Sequence, residues 1–319
     1  MDKLVTNENV YIVADIGGTN ARFAFVTSQS YQLQGIENFT CADFPCLIDA
    51  CRKYMAQRQL KNVAHFCMAV AAVVESDWID LVNNHWAFSH AGLEKKLAAP
   101  VKIINDFTAQ VLSTNVLADD ELRWFGSARP TSGGVKAVVG PGTGLGVGVM
   151  ISSGEVVPSE AGHIAFAPSN EHEIKLLTVL WQRYKRVSVE RLLSGGGLCN
   201  LYWANAQLQG LEEELDAPQI TAGALAGDSL CLKTIEDFYA ILGSVAGDVS
   251  LMMGASGGVY ISGGIVPRIL PLLEVESFRA RFEDKGRYRD FCSQVPIAVV
   301  LAEQPGLQGC VEALNFHCL

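Results

Sequence analysis

The sequence predicts an α/β protein in two lobes. Helix and strand signals alternate through the first third, an early strand meander opens the chain, and two glycine-rich hairpins stand about 125 residues apart. In the first hairpin, Val13-Ala14-Asp15-Ile16-Gly17-Gly18-Thr19-Asn20 follows an apolar strand over 10–13 and precedes another over 21–26. In the second, Val138-Val139-Gly140-Pro141-Gly142-Thr143-Gly144-Leu145-Gly146-Val147 again runs strand, Gly/Thr turn, strand. The pair suggests two related lobes, although the flanking sequence shows no further repeat. A length of 319 residues accommodates two domains at roughly 100–200 residues each.

The elements follow in order. Asp43 is a favoured N-cap, and Phe44, Leu47, Ile48, Cys51, Tyr54 and Met55 recur at helical spacing, predicting an amphipathic helix over 44–57. The run His65–Val74 is too continuously apolar for an exposed strand and belongs centrally in a sheet. Ser89 can cap a helix reaching Leu97, and Val101–Ile104 reads as a short buried strand. That strand ends in Asn105-Asp106, with a helix predicted over 107–117. The second half is more helical, with helices at about 171–184, 189–193, 197–207 and 229–253. Late strands are expected at 258–262 and 297–301, and the Gly/Pro/Ser stretch 126–134 reads as a surface connection near the lobe boundary.

Composition narrows the function. Apolar residues make up 49 % and charged residues 18 %, which supplies a core and excludes global disorder. With 24 Lys and Arg against 34 Asp and Glu the net charge is −10, so no broad basic face for nucleic acid or anionic lipid is expected. An anionic substrate must then be held by local backbone N–H groups or a metal. Nine cysteines without a C-x-x-C pair or a Cys/His cluster predict reduced, mostly buried thiols. The N-terminus lacks the basic and apolar regions of a signal peptide, and no apolar run approaches the ~18 residues of a membrane span. A cytoplasmic protein is expected.

Glycines let backbone N–H groups approach phosphate oxygens, and threonine hydroxyls add donors, so both hairpins suit phosphate; tight turns with no ligand are the competing reading. The Walker A loop is absent, because no Gly-Lys dipeptide occurs, and Gly140, Gly142, Gly144 and Gly146 do not fit G-x-G-x-x-G. Asp106, at the end of a buried strand, is a candidate general base or simply a cap for the next helix. Glu160-Ala161-Gly162-His163 has the spacing of half a di-iron helix, but flanking Gly, Pro and Ser oppose a helix there. Together with Glu190 and Asn105 these residues suit a polyol, which needs donors and acceptors in alternation; scattered solvated side chains are the bland alternative. Gly254-Ala255-Ser256-Gly257-Gly258 matches G-x-S-x-G formally, but helix precedes and strand follows, the reverse of a nucleophile turn.

Five segments in this order carry a resemblance: Asp15-Ile16-Gly17-Gly18-Thr19-Asn20-Ala21-Arg22, Ile104-Asn105-Asp106-Phe107-Thr108-Ala109, Gly142-Thr143-Gly144-Leu145-Gly146, Glu160-x-Gly162-His163 and Ile261-Ser262-Gly263-Gly264-Ile265-Val266-Pro267-Arg268. Asn83-x-x-Trp86, Glu190-Arg191-Leu192-Leu193-Ser194-Gly195 and Phe278–Arg287 add to it. The sequence resembles the bacterial glucokinase family, of the hexokinase branch, from about residue 10 to Pro305-Gly306-Leu307. The resemblance implies a two-lobed actin-like ATPase (ribonuclease H-like) fold with an interlobe cleft. Its small α/β domain would comprise 1–109 plus 303–319 and its large α/β domain 110–302.

By the same resemblance, the activity is ATP-dependent phosphorylation of D-glucose at O6, feeding glycolysis, with Asp106 as general base. Asn105, Asp106, Glu160, His163 and Glu190 would hold the sugar. Gly17, Gly18 and Thr19, flanked by Ala14 and Ile16, would cradle phosphates with Thr143 and Gly144. Gly263 and Gly264 would lie by the adenosine, and Asp15 would position Mg²⁺ through water. A homodimer is implied. Phosphoryl transfer asks mainly for positioning, charge neutralisation and one proton acceptor, which this set supplies.

Several positions depart from the family pattern. Val73 and Ser76 replace a usual proline and glycine in a loop bordering the sugar, Ala14 stands for a usual glycine, and Pro141 for a usual alanine. Residues 165–176 contain no cysteine, so the structural zinc of the related repressor/kinase branch is not expected. No helix-turn-helix segment precedes Val10, so a DNA-binding repressor is not expected either. The alternatives are a kinase for another hexose or amino sugar, and a sugar-binding sensor with little turnover.

Overall fold

Residues 9–157 and 159–314 are described by the computed structural model. Cys318 lies outside them. The chain divides into two units, one comprising Met1–Leu117 with Ala302–Leu319 and the other Ala118–Leu301.

The first unit opens with strands β1 (Val10–Ile16), β2 (Asn20–Thr27) and β3 (Ser30–Thr40), the expected meander. Helix α1 (Leu47–Gln57), strand β4 (Val63–Val70), the short hairpin of β5 (Trp78–Asp80) and β6 (Ala87–Ser89), helix α2 (His90–Leu97), strand β7 (Val101–Asn105) and helix α3 (Asp106–Ser113) follow. The main sheet runs β3-β2-β1-β4-β7, antiparallel at β1/β2 and β2/β3 and parallel at β1/β4 and β4/β7. Period-two alternation sorts its side chains between two cores. Ile12, Ala14 and Ile16 of β1 join Phe66, Met68 and Val70 of β4 on one face with Leu47 and Tyr54 of α1. Tyr11 and Val13 join Cys67 and Ala69 on the other. Both faces are covered, which is why β4 reads as one apolar run.

The second unit begins with strand β8 (Leu122–Trp124), the hairpin of β9 (Lys136–Pro141) and β10 (Leu145–Met150), and the short β11 (Val156–Val157). Helices α4 (Glu171–Leu180), α5 (Gly195–Leu208), α6 (Ala217–Leu225) and α7 (Ser229–Met253) precede strand β12 (Gly258–Ile261). Helices α8 (Val266–Ile269), α9 (Val275–Glu283) and α10 (Arg289–Gln294) lead to strand β13 (Ile297–Val300). The sheet order is β11-β10-β9-β12-β13-β8, with β9, β12 and β13 parallel. A final helix, α11 (Pro305–Ala313), returns to the first unit, where Leu307 and Cys310 are buried in the same core as Ala109 of α3.

Several boundaries differ from expectation. Helix α1 begins at Leu47 and not at 44, and Asp43 lies in the 3-10 turn Cys41–Asp43 instead of capping it. Phe44 is extended (φ −128°, ψ 134°) because the ring of Pro45 disfavours helical backbone before it. The strand expected over 65–74 closes at Val70, the helix expected over 171–184 ends at Leu180, and 189–193 forms only a 3-10 turn, Val189–Arg191. Helix α3 starts at Asp106 and ends at Ser113, where 107–117 was expected. The division between units falls after Leu117, past α3, and not at 109 inside it, because Leu112, beyond that point on α3, also packs against the first unit's core.

Candidate active site

In the first unit the parallel strands end together. Ile16 pairs in register with Val70, and Val70 with Asn105, so the carboxyl ends of β1, β4 and β7 form one row. Asp15 and Asp106 flank that row. Asp15 faces Arg22 across the hairpin, with Nη1 3.7 Å from Oδ2. Burial raises the Asp15 carboxyl from its ordinary 3.8 to about 6, Arg22 opposes the rise, and the neighbouring Asp106 charge adds to it. The two carboxylates therefore share one electrostatic environment, although 91 residues separate them in sequence.

Asn105, not Asp106, is the cap of α3. Its Oδ1 accepts from the N–H groups of Phe107 (2.8 Å) and Thr108 (3.3 Å). Its Nδ2 donates to Ala72 O at 3.3 Å, leaving the amide one further N–H for a ligand hydroxyl. Asp106 occupies the first helical position, and its Oδ1 accepts from Phe107 N at 2.9 Å. The capping alternative for Asp106 is thus largely taken by its neighbour.

The turn Gly17-Gly18-Thr19 closes through Gly17 N donating to Asn20 O at 2.9 Å. It is braced by Asn84, whose Nδ2 donates to Gly17 O at 2.9 Å while its Oδ1 accepts from Trp86 N at 3.0 Å. Cys41 N donates to Thr19 O at 2.8 Å. A cavity of about 410 Å³ opens beside Gly18, Thr19, Asn83 and His85. The bracing role of Asn84 was missed in the sequence, where only Asn83 and Trp86 stood out.

The second unit gathers the other group. Gly142 N donates to Gly144 O at 2.8 Å, closing the second Gly/Thr turn around Thr143. Glu190 Oε2 accepts from Leu145 N at 2.9 Å, and a Cβ on Gly144 would fall 2.6 Å from that same oxygen. His163 Nδ1 stands 3.9 Å from Glu190 Oε1, and its Nε2 4.0 Å from Glu160 Oε2. Glu160, His163 and Glu190 therefore form one cluster, with Glu160 at the start of the 3-10 turn Ala161–His163. A cavity of about 580 Å³ lies beside His163 and Glu190, above Ser188, Ser194 and Asn200. Gly263 (φ +88°) abuts the same hairpin, since a Cβ there would lie 2.3 Å from Pro141 O; Gly264 next to it has open space. Acceptors and donors thus alternate around His163, while the glycine-rich hairpin stands directly behind Glu190.

The glucokinase family model matches residues 12–317. The chain belongs to the glucokinase family. Among curated relatives, the glucokinase of Hahella chejuensis is 43 % identical over 310 residues, covering 95 % of this chain and 96 % of that one. Among solved structures, glucokinase from an Antarctic psychrotroph superposes with a TM-score of 0.89 at 34 % identity, covering 96 % of this chain and 99 % of that one. A ROK-family glucokinase from Streptomyces griseus, solved with glucose and AMPPNP, shares the fold with a TM-score of 0.66 at 18 % identity, covering 96 % and 99 %. The α/β fold read from the sequence is therefore that of the glucokinases.

Among the described residues, no three His, Cys, Asp or Glu side chains gather to hold a metal directly, and no helix is long and apolar enough to cross a membrane. The eight described cysteines are all free thiols. For magnesium, the relevant feature is the Asp15–Asp106 pair. A hard cation held by one carboxylate, water and phosphate oxygens fits a site where the Asp106 charge raises the proton affinity of the buried Asp15 carboxyl.

Proposed function

We propose that this chain catalyses ATP-dependent phosphorylation of D-glucose at O6 with Asp106 as general base. The observation that carries the reading is the nearness of Asp106 to Asp15 at the joint ends of β1, β4 and β7, where ligands of parallel sheets collect. It brings a proton acceptor beside the base of a glycine-rich phosphate turn. In the step, the 6-oxygen bonds to the γ-phosphorus, its proton passes to an Asp106 carboxylate oxygen, and the bond from that phosphorus to ADP breaks. Glucose 6-phosphate and ADP result.

Backbone N–H groups at Gly18 and Thr19 and at Thr143 and Gly144 would hold phosphate oxygens, with Gly17, whose own N–H closes the turn on Asn20 O, shaping the cradle, Ala14 and Ile16 lining the strand end and Gly263 and Gly264 beside the adenosine. Mg²⁺, held through water by Asp15, would supply charge neutralisation on the phosphates. Asn105 offers the sugar its remaining N–H, and Glu160, His163 and Glu190 offer acceptors and a ring N–H. The solved complex of the Streptomyces relative with glucose and AMPPNP supports this choice of substrates.

Val73 is 72 % exposed, so its side chain is available to a ligand, and Ser76 Oγ donates to Trp78 O at 2.7 Å. The loop holding them reaches Asn105 through Ala72 O, so hexose preference is the property these departures would alter. A coupled spectrophotometric assay across a hexose and amino-sugar panel tests the reading. Turnover is expected to be fastest on glucose. Turnover only on another sugar, or saturable glucose binding with no turnover, overturns it in favour of the second kinase or the sensor.

A homodimer and a cytoplasmic location, upstream of glycolysis, extend the same reading. A purely monomeric mass by sedimentation over a concentration range counts against the first, and recovery from a periplasmic fraction against the second.

A further inference from the structure

We infer that Gly306 is a positioning residue: it reserves the space in which the Asp15 carboxylate stands. The functional part of this inference rests on the role proposed for Asp15. Gly306 is the second residue of α11 and is buried. Glycine is among the poorest residues for a helix, and Gly306 is not among the glycines with positive φ, so backbone conformation does not account for it. Space does. A Cβ at 306 would lie 2.6 Å from Asp15 Oδ2, 2.7 Å from its Cγ and 3.3 Å from its Cβ.

Contacts that short force either the helix or the carboxylate to move. The helix is clamped. One turn on, Gly309 approaches α3 so closely that a Cβ there would lie 1.8 Å from Ala109 O. Cys310 Sγ donates to Ala14 O at 3.3 Å, on the residue next to Asp15. Lys102 Nζ donates to Ala313 O at 2.5 Å, and Leu307 and Cys310 are fully buried. Retreat of α11 would disturb every one of these contacts, whereas rotation of Asp15 disturbs a single side chain. A methyl group at 306 therefore turns the Asp15 carboxylate away from the strand end.

The test is a double-mutant cycle in the full chain with Gly306→Ala, Asp15→Ala and the pair. Asp15→Ala removes the Cγ and oxygens that the new methyl would strike, and alanine is the better helix former. Gly306→Ala is expected to lower the melting temperature by about 4 °C or more when Asp15 is present. In the Asp15→Ala background it is expected to be neutral or to raise it. In the active chain, Gly306→Ala should raise the Mg²⁺ concentration for half-maximal turnover by about tenfold or more. Glucose affinity by calorimetry should stay within about threefold.

An equal loss of melting temperature in both backgrounds overturns the inference, as does an unchanged Mg²⁺ dependence. If Gly306→Ala alone fails to fold, recovery in the double variant supports the contact and continued failure overturns it. If the unmutated chain does not turn over glucose, the proposed function fails. The stability cycle then still decides whether Gly306 acts through Asp15.

Discussion

Asp106→Asn is expected to lower kcat on glucose by at least about two orders of magnitude, the usual range for a general base being ~10²–10⁴-fold. An amide of the same shape cannot accept the 6-hydroxyl proton as the O–P bond forms. It can still accept a hydrogen bond, so glucose affinity should change by about tenfold at most. The fold should persist, because Asn105 carries the α3 cap and asparagine is tolerated in the position that follows. Removing the charge also relieves Asp15 of its like-charged neighbour, so the Asp15 carboxyl should titrate lower in the variant. Calorimetric glucose binding and coupled turnover on one folded preparation check the assignment. A near-normal kcat sinks it, and joint loss of binding and fold gives Asp106 a structural role.

Asp15→Asn should make the ligand-free protein more stable at neutral pH while removing most of its activity. The carboxyl is raised from 3.8 to about 6, chiefly by burial, so the folded protein binds this proton more tightly than the unfolded chain does. An acid shifted upward costs stability once it is charged. That cost is absent below 3.8, grows as pH rises through the interval, and is complete above about 6. The shift corresponds to about 1–3 kcal/mol at neutral pH, the side chain being largely but not wholly withdrawn from water. A neutral amide escapes the cost, so the gain in urea midpoint should be largest near about pH 7.5 and shrink toward about pH 4. Turnover should fall by about 10²-fold or more, since a preorganised charge beside the transferred phosphoryl group is lost. A variant less stable than its parent at pH 7.5, or a gain independent of pH, contradicts this account of Asp15.

Local chemistry made much of the architecture legible in the chain itself. Ser89 was readable as a cap, and its Oγ accepts from Gly92 N at 3.0 Å. Both Gly/Thr hairpins were readable because strand periodicity breaks at glycines on either side of a turn. The continuous apolar run of β4 announced a strand covered on both faces. Two misses were also local: Pro45 forbade helix at Phe44, and the reciprocal bonds between Asp216 and Gln219 start α6, which had not been recognised.

What only the tertiary structure decided concerns partners distant in sequence. The registers Ile16–Val70 and Val70–Asn105 bring Asp15 to Asp106, and α11 delivers Gly306 to Asp15 from the far end of the chain. Glu190 reaches the N–H of Leu145 with one carboxylate oxygen, so a side chain marked for a sugar also braces the second hairpin. Caps, turns and periodicity act over about four residues, so the chain alone determines them. Strand register and helix packing depend on which side chains fill the space between elements, and that is settled only when the whole core closes.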